Sequence, residues 1–173
     1  MKKLFLSMLS AVFIVFLCSC SIDGFHSRLW DNSTEIATKR VEQLLEALKS
    51  KDGDAIKLMF SKRALIEAEN LDENIEYLFE LFQGEVLAKD ECYPSEYGYN
   101  RYGQKMKKLT WWIRVETDVD KYIFFLVDYP RDDMQPDNVG LYTLRVIREE
   151  DEETLFTSFD IMEIPGVFRP ESE

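Results

Sequence analysis

Histidine, the side chain that most often serves as a base or metal ligand near neutral pH, occurs once in these 173 residues, as His26. It precedes the first predicted helix, so we expect no His-based triad and no His general base in a folded core. Only Cys92 would accompany it as a soft zinc ligand, and no glycine-rich phosphate loop is present. The sequence therefore argues against most hydrolases and nucleotide-dependent enzymes, and we expect neither a metal nor a cofactor.

Acid–base chemistry by a carboxylate is the catalytic option that remains. Asp128 follows the apolar run 122–127, and an apolar pocket can keep such a carboxyl protonated. Arg114 and Arg145 are charged residues inside apolar stretches and are candidates for binding an anion. The alternative is that Asp128 merely ends a strand while the arginines point outward or pair with sheet neighbours. The scarcity of catalytic groups favours a protein that is not an enzyme.

The segment 93–103 has the composition of a contact surface. Small and polar residues surround four tyrosines in it: Tyr93, Tyr97, Tyr99 and Tyr102. Tyrosine offers a large contact area at a low entropic cost, so Tyr97, Tyr99 and Tyr102 are candidate ligand-binding residues. The alternative is a mobile hairpin loop whose tyrosines lean on the sheet.

Helical periodicity fills the first half of the sequence. One apolar stripe predicts a helix from Ser33 to Lys49: Ala37, Val41, Leu44, Leu45 and Leu48. Further helices are predicted to begin at Asp54, after Ser61 and after Asp72, the last ending at Gly84.

A period of two dominates the second half. Four alternating apolar residues predict a strand with one buried face: Leu109, Trp111, Ile113 and Val115. By this alternation Trp112, the other candidate binding residue, is exposed and Trp111 is buried. A turn at 118–120, a central strand at 122–127, a third at 139–147, a solvated turn at 149–153 and a short strand around Phe159, Ile161 and Ile164 complete the prediction. Helices followed by antiparallel strands indicate an α+β fold with the helices packed on one sheet face.

The first 20 residues have the organisation of an export signal. Lys2 and Lys3 precede the apolar run 4–17, which is too short to span a bilayer comfortably. The run ends in Leu17-Cys18-Ser19-Cys20, which resembles the lipobox of bacterial lipoproteins and implies cleavage before a lipidated Cys20. We therefore predict a signal peptide at 1–19, a lipidated cysteine and tether at 20–32 and a single domain at 33–173. The alternatives are an ordinary signal peptide with Cys20 free, or lipid on Cys18, which would allow a Cys20–Cys92 bridge.

Three stretches behind this lipobox are similar to a family of uncharacterised Gram-positive lipoproteins: LLEALKSKDGDAIKLMFS, NLDENIEYLFELFQG and GLYTLRVI. The similarity covers residues 35–147. It implies a nuclear transport factor 2-like fold, in which a curved sheet wraps around helices and leaves a conical cavity. The family brings no established activity or site residues.

These observations lead to three functional hypotheses. The first is a membrane-anchored extracytoplasmic lipoprotein that binds a small molecule or a protein without catalysis. The second is a cavity enzyme of the ketosteroid isomerase type that uses Asp128. The third is a structural protein that forms a homodimer through an open sheet face. A net charge of −12 argues against nucleic acid as a partner.

Lipid attachment at Cys20 can be tested with a neighbouring control. We expect Cys20→Ala to abolish incorporation of a fatty-acid label and to release the protein from membranes, whereas Cys18→Ala retains both. Two acyl chains provide a stable anchor, so the loss should be nearly complete. Labelling that persists in Cys20→Ala and disappears in Cys18→Ala would contradict the predicted register.

Overall fold

The computed structural model describes residues 32–155 and 163–170. The predicted signal peptide, Cys18, Cys20, His26 and most of the tether lie outside the described residues, as do Phe159 and Ile161. Ser33–Glu173 forms a compact unit, and the described hydrophobic core lies entirely within it.

Four helices come first in the chain: α1 Ser33–Ser50, α2 Gly53–Met59, α3 Lys62–Glu67 and α4 Leu71–Leu81. The predicted stripe of α1 faces the core, with Ala37, Val41 and Leu44 fully buried and Leu45 packed at its margin. None of the described helices combines the length and the apolar character needed to cross a bilayer.

The starts of the helices differ in part from the prediction. Asp52, not Asp54, caps α2 and accepts a 2.9 Å hydrogen bond from the Ala55 N–H. Ser61 caps α3 as predicted. Helix α4 begins after Asn70, which has a left-handed backbone and no side-chain capping bond. Asp72 instead lies in the first turn, where the negative charge of a carboxylate interacts favourably with the helix dipole. It also forms a 2.5 Å ion pair with Lys57.

The described strands form one curved, unclosed sheet. They are β1 Val86–Lys89, β2 Ser95–Arg101, β3 Gln104–Thr117, β4 Lys121–Asp132, β5 Gly140–Arg148 and β6 Gly166–Val167. Strand β3 pairs with β4 on one edge and with both β1 and β2 on the other, and β4 continues the sheet to β5 and β6. All pairings are antiparallel except that of β5 with β6. The α+β class and the turn at 118–120 are thus confirmed.

The strand predictions failed where the sequence signal was weak. The segment 93–103 is not a loop, because β2 forms a hairpin with β3 whose turn contains Tyr102 and Gly103, both with positive φ. Strand β1 was missed because all four of its residues are exposed and show no alternation. Ile164 precedes β6, and the predicted turn at 149–153 is a 3₁₀ turn, Glu149–Asp151, followed by the short helix α5, Glu152–Leu155.

The two faces of β3 have different environments. Leu109, Trp111 and Ile113 point toward the helices and are buried, whereas Trp112 on the opposite face is 51% exposed, so the predicted alternation is confirmed. Trp112 is the cross-strand partner of Phe125. Residues 122–128 of strand β4 are buried on both faces, as the continuous apolar run predicted.

Gly140 allows β5 to pass close to the connection between α2 and α3. Its φ is +126°, and an added Cβ would lie 2.8 Å from the Ser61 backbone nitrogen. That nitrogen donates a 2.8 Å hydrogen bond to the Leu141 carbonyl. A side chain here would therefore disturb both the backbone and a helix–sheet contact.

We expect Gly140→Ala to lower the free energy of unfolding by about 3 kcal/mol, because backbone strain and the steric clash add. Gly103 is the matched control, since its φ is +83° but an added Cβ has no neighbour within 4 Å. Gly103→Ala should cost about 1 kcal/mol from the backbone alone. Urea denaturation of both variants measures the difference, and equal losses would show that the contact at Ser61 contributes nothing.

Candidate functional site

A gap in the pairing along β3 creates the main candidate site. Strand β2 stops pairing with β3 at the Ser95–Thr110 pair. Strand β1 pairs with β3 only from the Lys89–Val115 pair onward. Between these two points, residues 111–114 of β3 have no partner strand on this edge among the described residues. The segment 90–94 crosses the gap.

Segment 90–94 is anchored at two points. Cys92 points inward and is 2% exposed; burial raises the pKa of its thiol, while a hydrogen bond with Thr38 opposes this shift. The Asp90 N–H donates to the Arg114 carbonyl at 3.0 Å, and the Arg114 N–H donates to Asp90 Oδ2 at 3.3 Å. With Cys92 buried, Asp90, Glu91 and Tyr93 remain exposed.

These residues enclose a pocket of about 450 Å³, which we call the gap pocket. It is lined by Asp90, Glu91, Tyr93, Ser95, Thr110, Trp111, Trp112 and Arg114. Tyr93 and Trp112 contribute aromatic rings that are 74% and 51% exposed. Large aromatic surfaces in a concave site are typical of ligand recognition.

Carboxylates dominate the electrostatics of the gap pocket. The Tyr93 hydroxyl donates a hydrogen bond to Glu91, which raises the pKa of Tyr93. The Arg114 guanidinium is bound by Glu149 at 3.0 Å and by Glu152 at 3.2 Å. Its positive charge is therefore already matched by carboxylates outside the pocket lining, while Asp90 and Glu91 add negative charge within the lining.

The structure brings together only some of the predicted binding residues. Trp112 and Arg114 line the gap pocket, whereas Tyr97, Tyr99 and Tyr102 do not. Tyr102 is fully exposed at the hairpin turn, and Tyr99 donates a 3.1 Å hydrogen bond to the Met134 sulfur.

Arg145 also lies away from the pocket. It is 3% exposed, and its guanidinium lies 3.6 Å from the centre of the Phe168 ring. Burial lowers its pKa. The expectation that the arginines point outward or pair with sheet neighbours thus describes Arg114, while Arg145 is enclosed.

Sequence analysis missed Asp90 and Glu91 as site residues. Both belong to the stretch Asp90-Glu91-Cys92-Tyr93-Pro94. The sequence offered one indication, because Cys92, a residue type that is usually buried, lies between polar and aromatic neighbours. Recognising the pocket from this pattern would have required knowing that β1 and β2 flank the stretch.

Asp128 is fully buried and faces helix α1. Its cross-strand partner is Leu109, which lies on the helix side of β3. Arg40 donates to its Oδ2 at 2.6 Å, and its Oδ1 accepts no hydrogen bond. Burial raises the pKa of the Asp128 carboxyl, and the charge of Arg40 offsets this only in part.

Two other pockets are less suited to a ligand. One of about 480 Å³ lies between α3 and the loop after β4, and charged residues at its rim already form the pairs Lys62–Asp137 and Arg63–Glu67. The other, about 180 Å³, adjoins the gap pocket and shares Asp90 and Arg114 with it. Asp128 lines none of the three pockets.

Comparison with known families identifies the domain. The family model described as a domain of unknown function (DUF5104) matches residues 43–149, which is more than half of the chain, and the chain therefore belongs to this family. The matched region contains the whole gap pocket and Asp128 but not Arg40. No curated protein matches the chain.

The Arg40–Asp128 pair predicts an asymmetric response to mutation. Arg40→Met leaves a buried carboxylate without its cation, so we expect a loss of about 3–5 kcal/mol of stability at pH 7. Asp128→Asn should cost less, because the Arg40 side chain is 20% exposed and reaches water.

The loss in Arg40→Met should also depend on pH. The folded-state pKa of Asp128 lies above the ordinary value of 3.8, and removing Arg40 raises it further. As the pH falls through this raised pKa, the folded protein takes up a proton and the penalty of the buried charge disappears. Urea denaturation of Arg40→Met at pH 7 and near pH 5 measures this, and an equal loss at both values contradicts it.

Proposed function

We propose that this DUF5104 protein is a lipid-anchored, extracytoplasmic binding module that holds a small ligand in the gap pocket without transforming it. The observation that carries the proposal is Trp112, a large aromatic residue half exposed inside a concave site on the sheet. Exposing such a ring to water is costly, and a ligand that covers it recovers that free energy.

We further propose that the fold is of the nuclear transport factor 2-like type, with a ligand site in an unusual place. The order of four helices followed by a curved antiparallel sheet supports the assignment. In the conical cavity of that fold the ligand would lie between helices and sheet. Here one continuous cluster of buried side chains from both layers occupies that region, which favours the gap in the sheet edge instead.

The proposed location follows from the leader and the charge. Lipid on Cys20 and a tether to residue 32 would hold the domain beside the outer face of the cytoplasmic membrane. Cleavage before Cys20 removes Lys2 and Lys3 and changes the net charge from −12 to −14. This charge repels anionic headgroups, so the domain is expected to stand off from the bilayer.

The other two hypotheses have less support. Catalysis through Asp128 has its raised pKa in favour, but one oxygen is bound by Arg40 and the carboxyl lines none of the three pockets. A homodimer through an open sheet face would need a broad apolar surface there. Trp112 is exposed on this face, but Ile123, Phe125 and Val127 are buried within a single chain.

The proposed function can be tested by screening a library of chemically diverse fragments against residues 21–173 by NMR. We expect the fragments that bind to shift the indole signal of Trp112, and to shift it more than that of Trp111, which also lines the pocket but is 1% exposed. Trp112→Leu should weaken them about tenfold, a loss of about 1.4 kcal/mol. Tyr97→Leu is the matched control, because Tyr97 is 65% exposed but lies outside the pocket lining.

Two results would count against this function. Fragments whose affinity falls equally in Trp112→Leu and Tyr97→Leu would indicate general surface adhesion. Fragments that bind only between the helices and the sheet would return the ligand to the conical cavity.

A further inference from the structure

We propose that the gap pocket recognises an alkylammonium group, as found in polyamines and in lysine side chains. This proposal deepens the proposed function and depends on it, because it names the chemical class of the ligand held in the same pocket. The charge of the lining, the hydrogen bonds of its carboxylates and the position of its aromatic rings support the proposal.

The charge of the pocket lining disfavours anions. Asp90 and Glu91 are the acidic residues of the lining, and Arg114 is its single basic residue. Glu149 and Glu152 both form ion pairs with the Arg114 guanidinium, so two negative charges face one positive charge. The charge of Arg114 is therefore neutralised from outside the lining, and Asp90 and Glu91 leave the lining negative, so an anionic ligand would be repelled while a cation would be attracted.

Each carboxylate of the lining accepts a hydrogen bond through one oxygen, and its other oxygen can bind a ligand. Asp90 Oδ2 accepts from the Arg114 N–H, and Glu91 Oε2 accepts from the Tyr93 hydroxyl. Within the described residues no hydrogen bond reaches Asp90 Oδ1 or Glu91 Oε1. A primary ammonium has three N–H donors, so it can take up a remaining carboxylate oxygen of the lining, and preorganised acceptors reduce the entropic cost of binding.

The aromatic rings favour an organic cation over a metal ion. Trp112 and Tyr93 are exposed at the same pocket, and the face of a tryptophan ring is the strongest aromatic partner for an ammonium group. The alkyl chain of the ligand can cover the rings while its ammonium reaches the carboxylates. The volume of about 450 Å³ lies within the usual range for small-molecule sites.

Charge also separates this ligand class from neutral sugars, which stack on tryptophan as well. A neutral sugar gains nothing from the uncompensated charge of Asp90 and Glu91. An alkylammonium uses both the rings and the charge, so its binding should weaken with salt and still persist through the aromatic contact.

The test is calorimetric titration of residues 21–173 with spermidine, at about 50 mM and about 500 mM salt. Triethylene glycol serves as an uncharged flexible chain, N-acetylglucosamine as the neutral sugar and a lysine tripeptide as the peptide source of the same group. We expect spermidine to bind and the two neutral compounds to bind at least about tenfold more weakly. Comparing the affinities of spermidine and the lysine tripeptide then distinguishes a free amine from a peptide side chain as the source of the ammonium group.

The variants separate the pocket from the charge of the whole protein. Asp90→Asn with Glu91→Gln should weaken spermidine at least about tenfold, and Trp112→Leu about fivefold. Trp112→Phe retains an aromatic ring and should keep most of the affinity, which also controls for misfolding in Trp112→Leu. Glu73→Gln with Glu80→Gln removes the same charge from exposed positions on α4 and should change the affinity less than about twofold.

Each contrary result has a defined meaning. Equal losses in the two double variants would reduce the effect to diffuse attraction and overturn the proposal. Triethylene glycol or N-acetylglucosamine binding as tightly as spermidine, or fragments that bind the pocket when spermidine does not, would overturn the ligand class and leave the binding function standing. Failure of spermidine and of every fragment at this pocket would overturn both.

Discussion

The pairing of β3 is the constraint on which the rest of this structure depends. The strand pairs with β4 along most of its length, while its other edge is divided between two short strands. Backbone groups on such an edge need partners or water. Four residues of β3 lie between the two short strands, and the segment 90–94 spans them without forming a regular strand. The gap pocket exists because this one stretch of sheet edge is incompletely covered.

The opposite environments of Trp111 and Trp112 show how one strand presents one face to the core and the other to the gap pocket. Adjacent residues of a strand point to opposite faces, so one tryptophan packs among the helices while the next faces the gap pocket. Burying a side chain of this size contributes about 1.5–3 kcal/mol to folding. Segment 90–94 also has a buried and an exposed side. Cys92 is buried and fixes the segment to the core, while its polar neighbours point outward.

The sequence predicted those parts of the fold in which a pattern repeats. The stripe of α1, the alternation in β3 and the apolar run of β4 each identified an element and its buried face. Strands β1 and β2 lack such a pattern. Their residues are largely exposed and include Gly and Asn, so these strands form because they pair with β3 rather than through local preference.

The tyrosines of β2 were predicted as binding residues from composition, but composition does not reveal which side chains line a pocket. Trp112 and Arg114 were predicted from alternation and from charge within an apolar strand, and both line the gap pocket. Asp90 and Glu91 can be recognised as lining residues only when β1 and β2 are placed. Asp128 was identified from sequence, but its partner Arg40 lies 88 positions away along the chain, and nothing local indicates that pair.

The central claim, that an interruption in the edge of β3 forms a ligand pocket, is tested most directly by an electron-density map of residues 21–173 crystallised with spermidine. The account predicts that, beyond the contact of Asp90 with Arg114, segment 90–94 forms no strand pairing with β3 between the Ser95–Thr110 and Lys89–Val115 pairs. It also predicts an ammonium group between the Trp112 ring and the carboxylates of Asp90 and Glu91. Continuous strand pairing of segment 90–94 with β3, with Trp112 covered by protein, would contradict the account.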